Sequence, residues 1–156
     1  MAKTNALRRI EQAGIPYRDA VYPYDESDLS GLTAARAIGI PLEQVFKTLV
    51  TRNERGEIVV FCIPVCCELN LKKAAKAAGA KWIALVHVNE LLGLTGYIRG
   101  GCSPVGMKKK YPTYFDETVM LYGEIAVSAG ERGHQMILPP EPLAQYLQAE
   151  TADLTD

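Results

Sequence analysis

The chain has 156 residues, 48% of them hydrophobic and 22% charged, and a formal net charge of −1. That length and balance fit a single domain over residues 1–156 with one core, and they exclude a disordered or fibrous chain. No apolar run approaches the roughly 18 residues of a membrane span, and Met-Ala-Lys-Thr-Asn-Ala-Leu-Arg-Arg at the start has no apolar stretch fit for a secretory signal. A cytoplasmic location is expected.

The first helix is expected after Thr4, a good N-cap, with Leu7, Ile10 and Ala13 at helical spacing. Gly14 ends it and Pro16 prevents resumption. Tyr17–Tyr22 reads as a strand, followed by an acidic loop over Asp25–Asp28 and a helix over Leu32–Ile38 closed by Gly39. Pro41 opens a short helical turn. Val45–Thr51 and Ile58–Val65 read as a hairpin around the turn Asn53–Gly56. Asn70 caps a helix running to Ala78, stopped by Gly79. Trp82–Val86 is an apolar strand, and Asn89 is placed to cap another short helix. Tyr97–Arg99 reads as a strand entering the segment Gly100-Gly101-Cys102-Ser103-Pro104-Val105-Gly106. Thr113–Phe115, Glu124–Ser128 and Gln135–Leu138 are further strands, the last two joined by a turn over Gly130–Gly133. A final helix carries Leu143, Tyr146 and Leu147 on one face. The polar residues after Gln148, about 149–156, are expected to fray. Helices are few for the number of strands. That argues for an α/β fold with a mixed, mostly antiparallel, curled and barrel-like sheet, its helices outside.

Cys62, Cys66, Cys67 and Cys102 lack zinc-ligand spacing, and His87 and His134 stand far off in sequence, so neither a metal nor another cofactor is expected. Free thiols packed as small hydrophobes suit a reducing compartment. With so little net charge, binding to a nucleic acid requires locally concentrated cations. Lys72, Lys73 and Lys76 on one helix and the run Lys108, Lys109, Lys110 are the candidates, and a solvated lysine face is the plain alternative.

Lys47 is the most informative residue. It shares a strand face with Val45 and Leu49. A charge on an apolar face must snorkel to water, protect an edge, or serve a ligand as a cation at a pocket wall. The glycines of 100–106 let backbone N–H groups approach a ligand or gather as an anion nest, although a lone glycine cluster is more often a tight turn. Ser128-Ala129-Gly130-Glu131-Arg132-Gly133 follows a strand, where Arg132 can meet a phosphate and Ser128 can donate, or the segment is simply a hairpin turn. No nucleophile sits in a recognised local motif; an esterase built from Ser103 or Ser128 with His134 is the enzymatic alternative.

In order along the chain, Val45-Phe46-Lys47-Thr48-Leu49, Leu71-Lys72-Lys73-Ala74-Ala75-Lys76, Gly100-Gly101-Cys102-Ser103-Pro104-Val105-Gly106 and Ser128-Ala129-Gly130-Glu131-Arg132-Gly133 resemble the YbaK/EbsC family of prolyl-tRNA-synthetase-associated domains over nearly the whole length. The resemblance implies trans-editing. In that reading the chain removes cysteine mischarged onto tRNA(Pro), with Cys-tRNA(Cys) as a further substrate and prolyl-tRNA synthetase as a partner. The chemistry is a lyase or hydrolase cleavage in which the substrate's own thiol attacks its ester. The implied catalytic groups are Lys47, Gly100 and Gly101; Tyr22, Ser103, Ser128, Arg132 and Gln135 would bind substrate. Lys72, Lys73, Lys76, Lys108 and Lys109 would bind tRNA. One position departs: the family's Cys-tRNA(Pro) deacylases carry aspartate where this chain has Gln135, which leaves open an alanine or serine preference and a non-catalytic tRNA- or synthetase-binding module.

Overall fold

The computed structural model describes residues 3–156; Met1 and Ala2, which open the stretch read above for a secretory signal, lie outside the described residues. Helix α1 (Asn5–Gln12) starts where expected, with the Thr4 hydroxyl accepting from Leu7 N–H. Strand β1 (Arg18–Val21) leads through the acidic loop to α2 (Gly31–Ile38), capped by Ser30 and stopped by Gly39 in the left-handed region. A single 3₁₀ turn, Leu42–Gln44, precedes β2 (Phe46–Asn53), which pairs with β3 (Ile58–Pro64). Helix α3 (Leu71–Ala78) has the Asn70 cap and Gly79 stop read from the sequence. After β4 (Ile83–Leu85), α4 (Val88–Thr95) begins two residues earlier than Asn89 would allow, because Glu90 reaches back to accept from His87 N–H at 3.1 Å. Strands β5 (Thr113–Asp116), β6 (Ile125–Glu131) and β7 (His134–Leu138), helix α5 (Pro140–Leu147) and strand β8 (Glu150–Ala152) complete the chain. Among the described residues no helix is long and apolar enough to cross a membrane.

Tyr97–Arg99 is not a strand. Its side chains close a turn instead, Tyr97 O–H donating to the Val105 carbonyl at 2.5 Å and Tyr97 N–H to Thr95 Oγ1 at 3.0 Å. An aromatic residue with a local partner for its hydroxyl has no need of a ladder.

The fold is mixed α/β, but the strands form two sheets that do not close into a barrel. One has order β1-β7-β6, the other β4-β2-β3-β5-β8. Strands β1, β6 and β7 pair antiparallel, as do β2, β3 and β4, whereas β3–β5 and β5–β8 are parallel. The reason closure fails lies on one edge of β2. Val65 N–H donates to the Val45 carbonyl and Asn53 N–H to Glu57, so odd-numbered residues of β2 direct their backbone groups to β3. Phe46, Thr48 and Val50 direct theirs to the other edge. There Val45 makes one parallel bridge to Ala126 of β6, and β4 takes over from Thr51, with Val86 N–H donating to Val50. Between those two contacts no strand among the described residues covers β2.

The main core lies between the sheets. Phe46, Val60, Cys62 and Phe115 meet Val127, Met136 and Leu138, and α1 adds Leu7 and Ile10. A second cluster packs α3 (Ala74, Ala75) on Val59, Phe61 and Ile63 together with Leu154. That last contact corrects the expectation of a frayed tail. Strand β8 pairs Glu150, Thr151 and Ala152 with Tyr114, Phe115 and Asp116, and Leu154 is fully buried. The tail's side chains are polar because β8 is an edge strand; its order comes from a distant partner that composition does not reveal.

His134, considered above as a base for serine, is occupied on both ring nitrogens. Nε2 meets Asp19 at 2.7 Å and Nδ1 meets Glu131 at 2.8 Å. Burial works against its charge, but the two carboxylates outweigh burial and hold its pKa above the usual histidine value. A raised folded-state pKa gives stability that is complete below about pH 6.5 and is lost as pH rises through the folded value. We therefore expect His134→Gln to lower the melting temperature most near pH 5.5 and less at pH 9. An equal deficit at both pH values in thermal melts would remove the charged imidazole from the fold's stability.

Candidate active site

The uncovered edge of β2 opens into a cavity of about 770 Å³, of a size that holds small ligands. Its walls come from β2 (Lys47, Thr48), the segment before and at the start of α2 (Leu29, Ser30), the start of α4 (His87, Val88), the glycine-rich segment (Arg99, Gly100, Cys102) and the β6–β7 pair (Ser128, Gln135), with Tyr22 at the end of β1. Five residues singled out in the sequence meet here: Lys47, Gly100, Tyr22, Ser128 and Gln135. Lys47 is half-buried, and its ammonium has no hydrogen bond or ion pair among the described residues. No carboxylate lines the cavity; its other fixed cation is Arg99, whose role no sequence signal disclosed.

Gly100 adopts φ +86°, and a Cβ there would press on Leu29 at 3.1 Å. Its N–H has no partner among the described residues and is a donor of the segment left for a ligand at the cavity wall. Gly101 differs from the expectation. Its N–H is spent on the Ile98 carbonyl at 3.0 Å, and the residue is small because its α-carbon lies against the Glu131 backbone, where a Cβ would meet main-chain atoms at 3.0 Å. It lets two backbone segments meet behind the cavity and offers no donor. Ser103 does not line the cavity: it is fully buried, its Oγ accepting from Val105 N–H at 3.2 Å to shape the turn. Ser128 does line the cavity, its Oγ accepting from Gly130 N–H at 3.1 Å across the β6 bulge.

Gln135 sits on β7, the central strand of the small sheet, opposite Ser128 and Ala20. It is 8% exposed, and its Oε1 is buried with no hydrogen-bond partner among the described residues. An unpaired buried acceptor costs about 1–3 kcal/mol, which makes Gln135 Oε1 a candidate to accept from a bound group. Arg132 faces a smaller adjoining hollow of about 350 Å³ that shares Tyr22, Leu29 and Gly100 with the cavity. Its Nε donates to the Arg99 carbonyl at 2.9 Å.

Cys102 is the cavity's thiol, and burial pushes its pKa up to about 12, as it does for Cys62. Neither is a thiolate near neutrality, and neither suits a nucleophile. Of the lysines proposed for tRNA, Lys73 is tied down: its Nζ donates to the Thr155 carbonyl at 2.6 Å and pairs with Asp153 at 3.0 Å. Lys72 and Lys76 are exposed on α3, outside the cavity's lining.

Residues 31–146 match the family described as the aminoacyl-tRNA editing domain. The chain belongs to that family. It is 45% identical over 153 residues, 98% of this chain and 93% of the relative, to a protein of Enterococcus faecalis named as a candidate Cys-tRNA(Pro)/Cys-tRNA(Cys) deacylase, EbsC. It is 31% identical over 104 residues, 67% of this chain, to a stretch making up 18% of a proline–tRNA ligase of Shouchella clausii. A crystal structure of a candidate trans-editing enzyme for prolyl-tRNA synthetase superposes with a TM-score of 0.86 at 28% identity, covering 100% of this chain and 99% of that one. In this editing domain Lys47 lies on the stretch of β2 whose outer edge no strand among the described residues covers.

Proposed function

We propose that this editing domain cleaves cysteine from mischarged tRNA(Pro), with the thiol of the substrate as the nucleophile. The observation that supports it is the cavity's chemistry: its lining includes Lys47 and Gly100, whose ammonium and N–H have no partner among the described residues, and it includes no carboxylate base and no activated serine or cysteine. Such a site suits a reaction whose attacking group arrives with the substrate. The substrate sulfur attacks the ester carbonyl carbon. The carbon–oxygen bond to the terminal ribose breaks, the thiol proton passes to the departing ribose oxygen, and water later opens the cyclic thioester. The protein's share is to fold the substrate for attack and to stabilise the developing oxyanion through Lys47 and the Gly100 N–H. Tyr22 and Ser128 line the space for the aminoacyl group. Gln135 brings an amide where a carboxylate stands in similar deacylases; it orients the substrate without adding a negative charge beside the oxyanion.

The test is a panel of Cys-, Ala-, Ser- and Pro-tRNA(Pro) followed by loss of the ester. Size alone separates such similar side chains by only about 10–200-fold, so a Cys-over-Ala preference beyond that range is the mark of a participating thiol. Serine is expected to fail because its hydroxyl ionises far less readily than a thiol. Comparable rates on Ala-tRNA would overturn the substrate-thiol step. In the same assay Cys102→Ala is expected to retain activity, since its own thiol stays protonated.

A further inference from the structure

A second concavity, about 390 Å³, lies where the glycine-rich segment ends. It is walled by Arg9 of α1, Lys108, Lys109 and Lys110, and Tyr111 and Tyr146 stand at its sides. No carboxylate lines it, and none of its four cations has an ion-pair partner among the described residues. Lys110 is hydrogen-bonded to Gln148, a neutral partner that leaves the charge in place. In a chain of net charge −1, four uncompensated cations around one hollow mark a surface for an anion.

The hollow is built into the fold. Lys108 N–H donates to the Thr95 carbonyl at 3.1 Å, and its side chain lies along Gly96, where a Cβ would meet its Cγ at 3.4 Å. Gly106 reaches the hollow and Gly100 reaches the catalytic cavity, so one segment walls both. Six residues of chain span no more than about 22 Å, which bounds the distance between the two glycines that wall the hollow and the cavity.

We infer that this hollow receives backbone phosphates of the tRNA acceptor end, a few nucleotides upstream of the aminoacyl ester. The inference rests on the editing reading above and adds where the RNA runs. A polyanion whose last nucleotide enters the cavity must leave it across a neighbouring surface, and this one lies within reach, is cationic and is concave. Tyr146, 38% exposed, adds an aromatic face of the kind on which bases stack. An acidic protein surface would find the same charges, but it has no reason to sit beside the segment that also walls the catalytic cavity. The α3 lysines are the rival surface on this chain, and Lys73 is already neutralised there.

The experiment uses uncharged tRNA(Pro) transcript, the full chain, a triple variant Arg9→Gln, Lys108→Gln, Lys109→Gln, and a control Lys72→Gln, Lys76→Gln. Binding is measured from 50 to 300 mM salt. The triple variant is expected to bind at least about tenfold more weakly and to flatten the slope of log K against log salt by about 2–3, close to one for each phosphate left without its cation. The control is expected to change neither by more than a small factor. With Cys-tRNA(Pro), loss of kcat/KM in the triple variant is expected to exceed by tenfold its loss on a cysteinylated CCA trinucleotide. Unaltered tRNA binding, a larger effect in the α3 control, or equal losses on long and short substrates would each overturn the inference. Loss of binding to prolyl-tRNA synthetase with tRNA binding intact would overturn it too, and would assign the hollow to a protein instead. Absence of deacylation by the unmodified chain would strike the editing reading alone, because tRNA binding is read without it.

Discussion

Replacing Lys47 by methionine is expected to lower kcat/KM for Cys-tRNA(Pro) by about 10²–10³, the usual loss when one stabilising donor is removed from an oxyanion. Methionine keeps the stem that packs along β2 and deletes only the charge. The ammonium is half-buried and without a protein partner, so its removal breaks no hydrogen bond or ion pair of the fold. Stability should change by no more than about 0.5 kcal/mol, which for a chain of this size moves the melting temperature by about 2 °C at most. The loss should fall on kcat, since charge develops on the oxygen only as sulfur attacks. Lys47→Arg is expected to recover part of the rate, because the charge returns with a different reach and a planar head. A methionine variant that is folded and retains activity within tenfold would take the ammonium out of the chemistry and leave Gly100 N–H alone on the oxyanion.

The site exists because the fold leaves a flaw in β2. A strand whose two edges were both paired would expose neither the Thr48 backbone nor a route to Lys47. Here β6 makes a single backbone bridge, at Val45 just before β2, and β4 joins only from Thr51. The interval between them is floored by the interior of the protein and walled by α2, α4 and the Gly100 turn. The open edge is recessed in this cleft and short, which keeps another chain from pairing with it.

Features with local causes were legible in the sequence. Thr4 and Asn70 cap their helices, and Gly39 and Gly79 stop them, because those effects act within one turn. Lys47 announced itself as a charge among apolar strand neighbours. What failed had causes outside the local pattern. The donor of Gly101 is claimed by Ile98, and Ser103 turns inward to Val105, so a glycine-serine cluster that reads uniformly as a ligand loop divides into a donor, a spacer and a turn. Arg99 gave no signal, since an exposed arginine after a run of apolar residues looks like any surface cation. The break between the sheets was invisible because strand order depends on which edges meet, and alternation patterns carry no record of that.

The C-terminal segment offers the second large effect. Leu154 is fully buried against α3 and β3, its N–H donates to Asp116 Oδ1 at 3.0 Å, and its carbonyl accepts from Asn70 N–H at 2.8 Å. Leu154→Ala leaves the backbone in place and is expected to cost about 2–5 kcal/mol, a fall of roughly 4–20 °C in melting temperature. Ending the chain after Gln148 should cost more. It removes β8 with the leucine, and it strips the buried Asp116 carboxylate of its tail donor, leaving only Thr118 to bond it. Against a total stability of about 5–15 kcal/mol, that chain is expected to be largely unfolded at 37 °C. Urea and thermal melts of the three proteins decide the matter. A truncated chain melting within a few degrees of the full one would show β8 to be a passenger on the sheet. Because Leu154 contributes nothing to the cavity's lining, Leu154→Ala should deacylate at the normal rate below its own melting temperature, which separates what holds the editing domain together from what its open edge does.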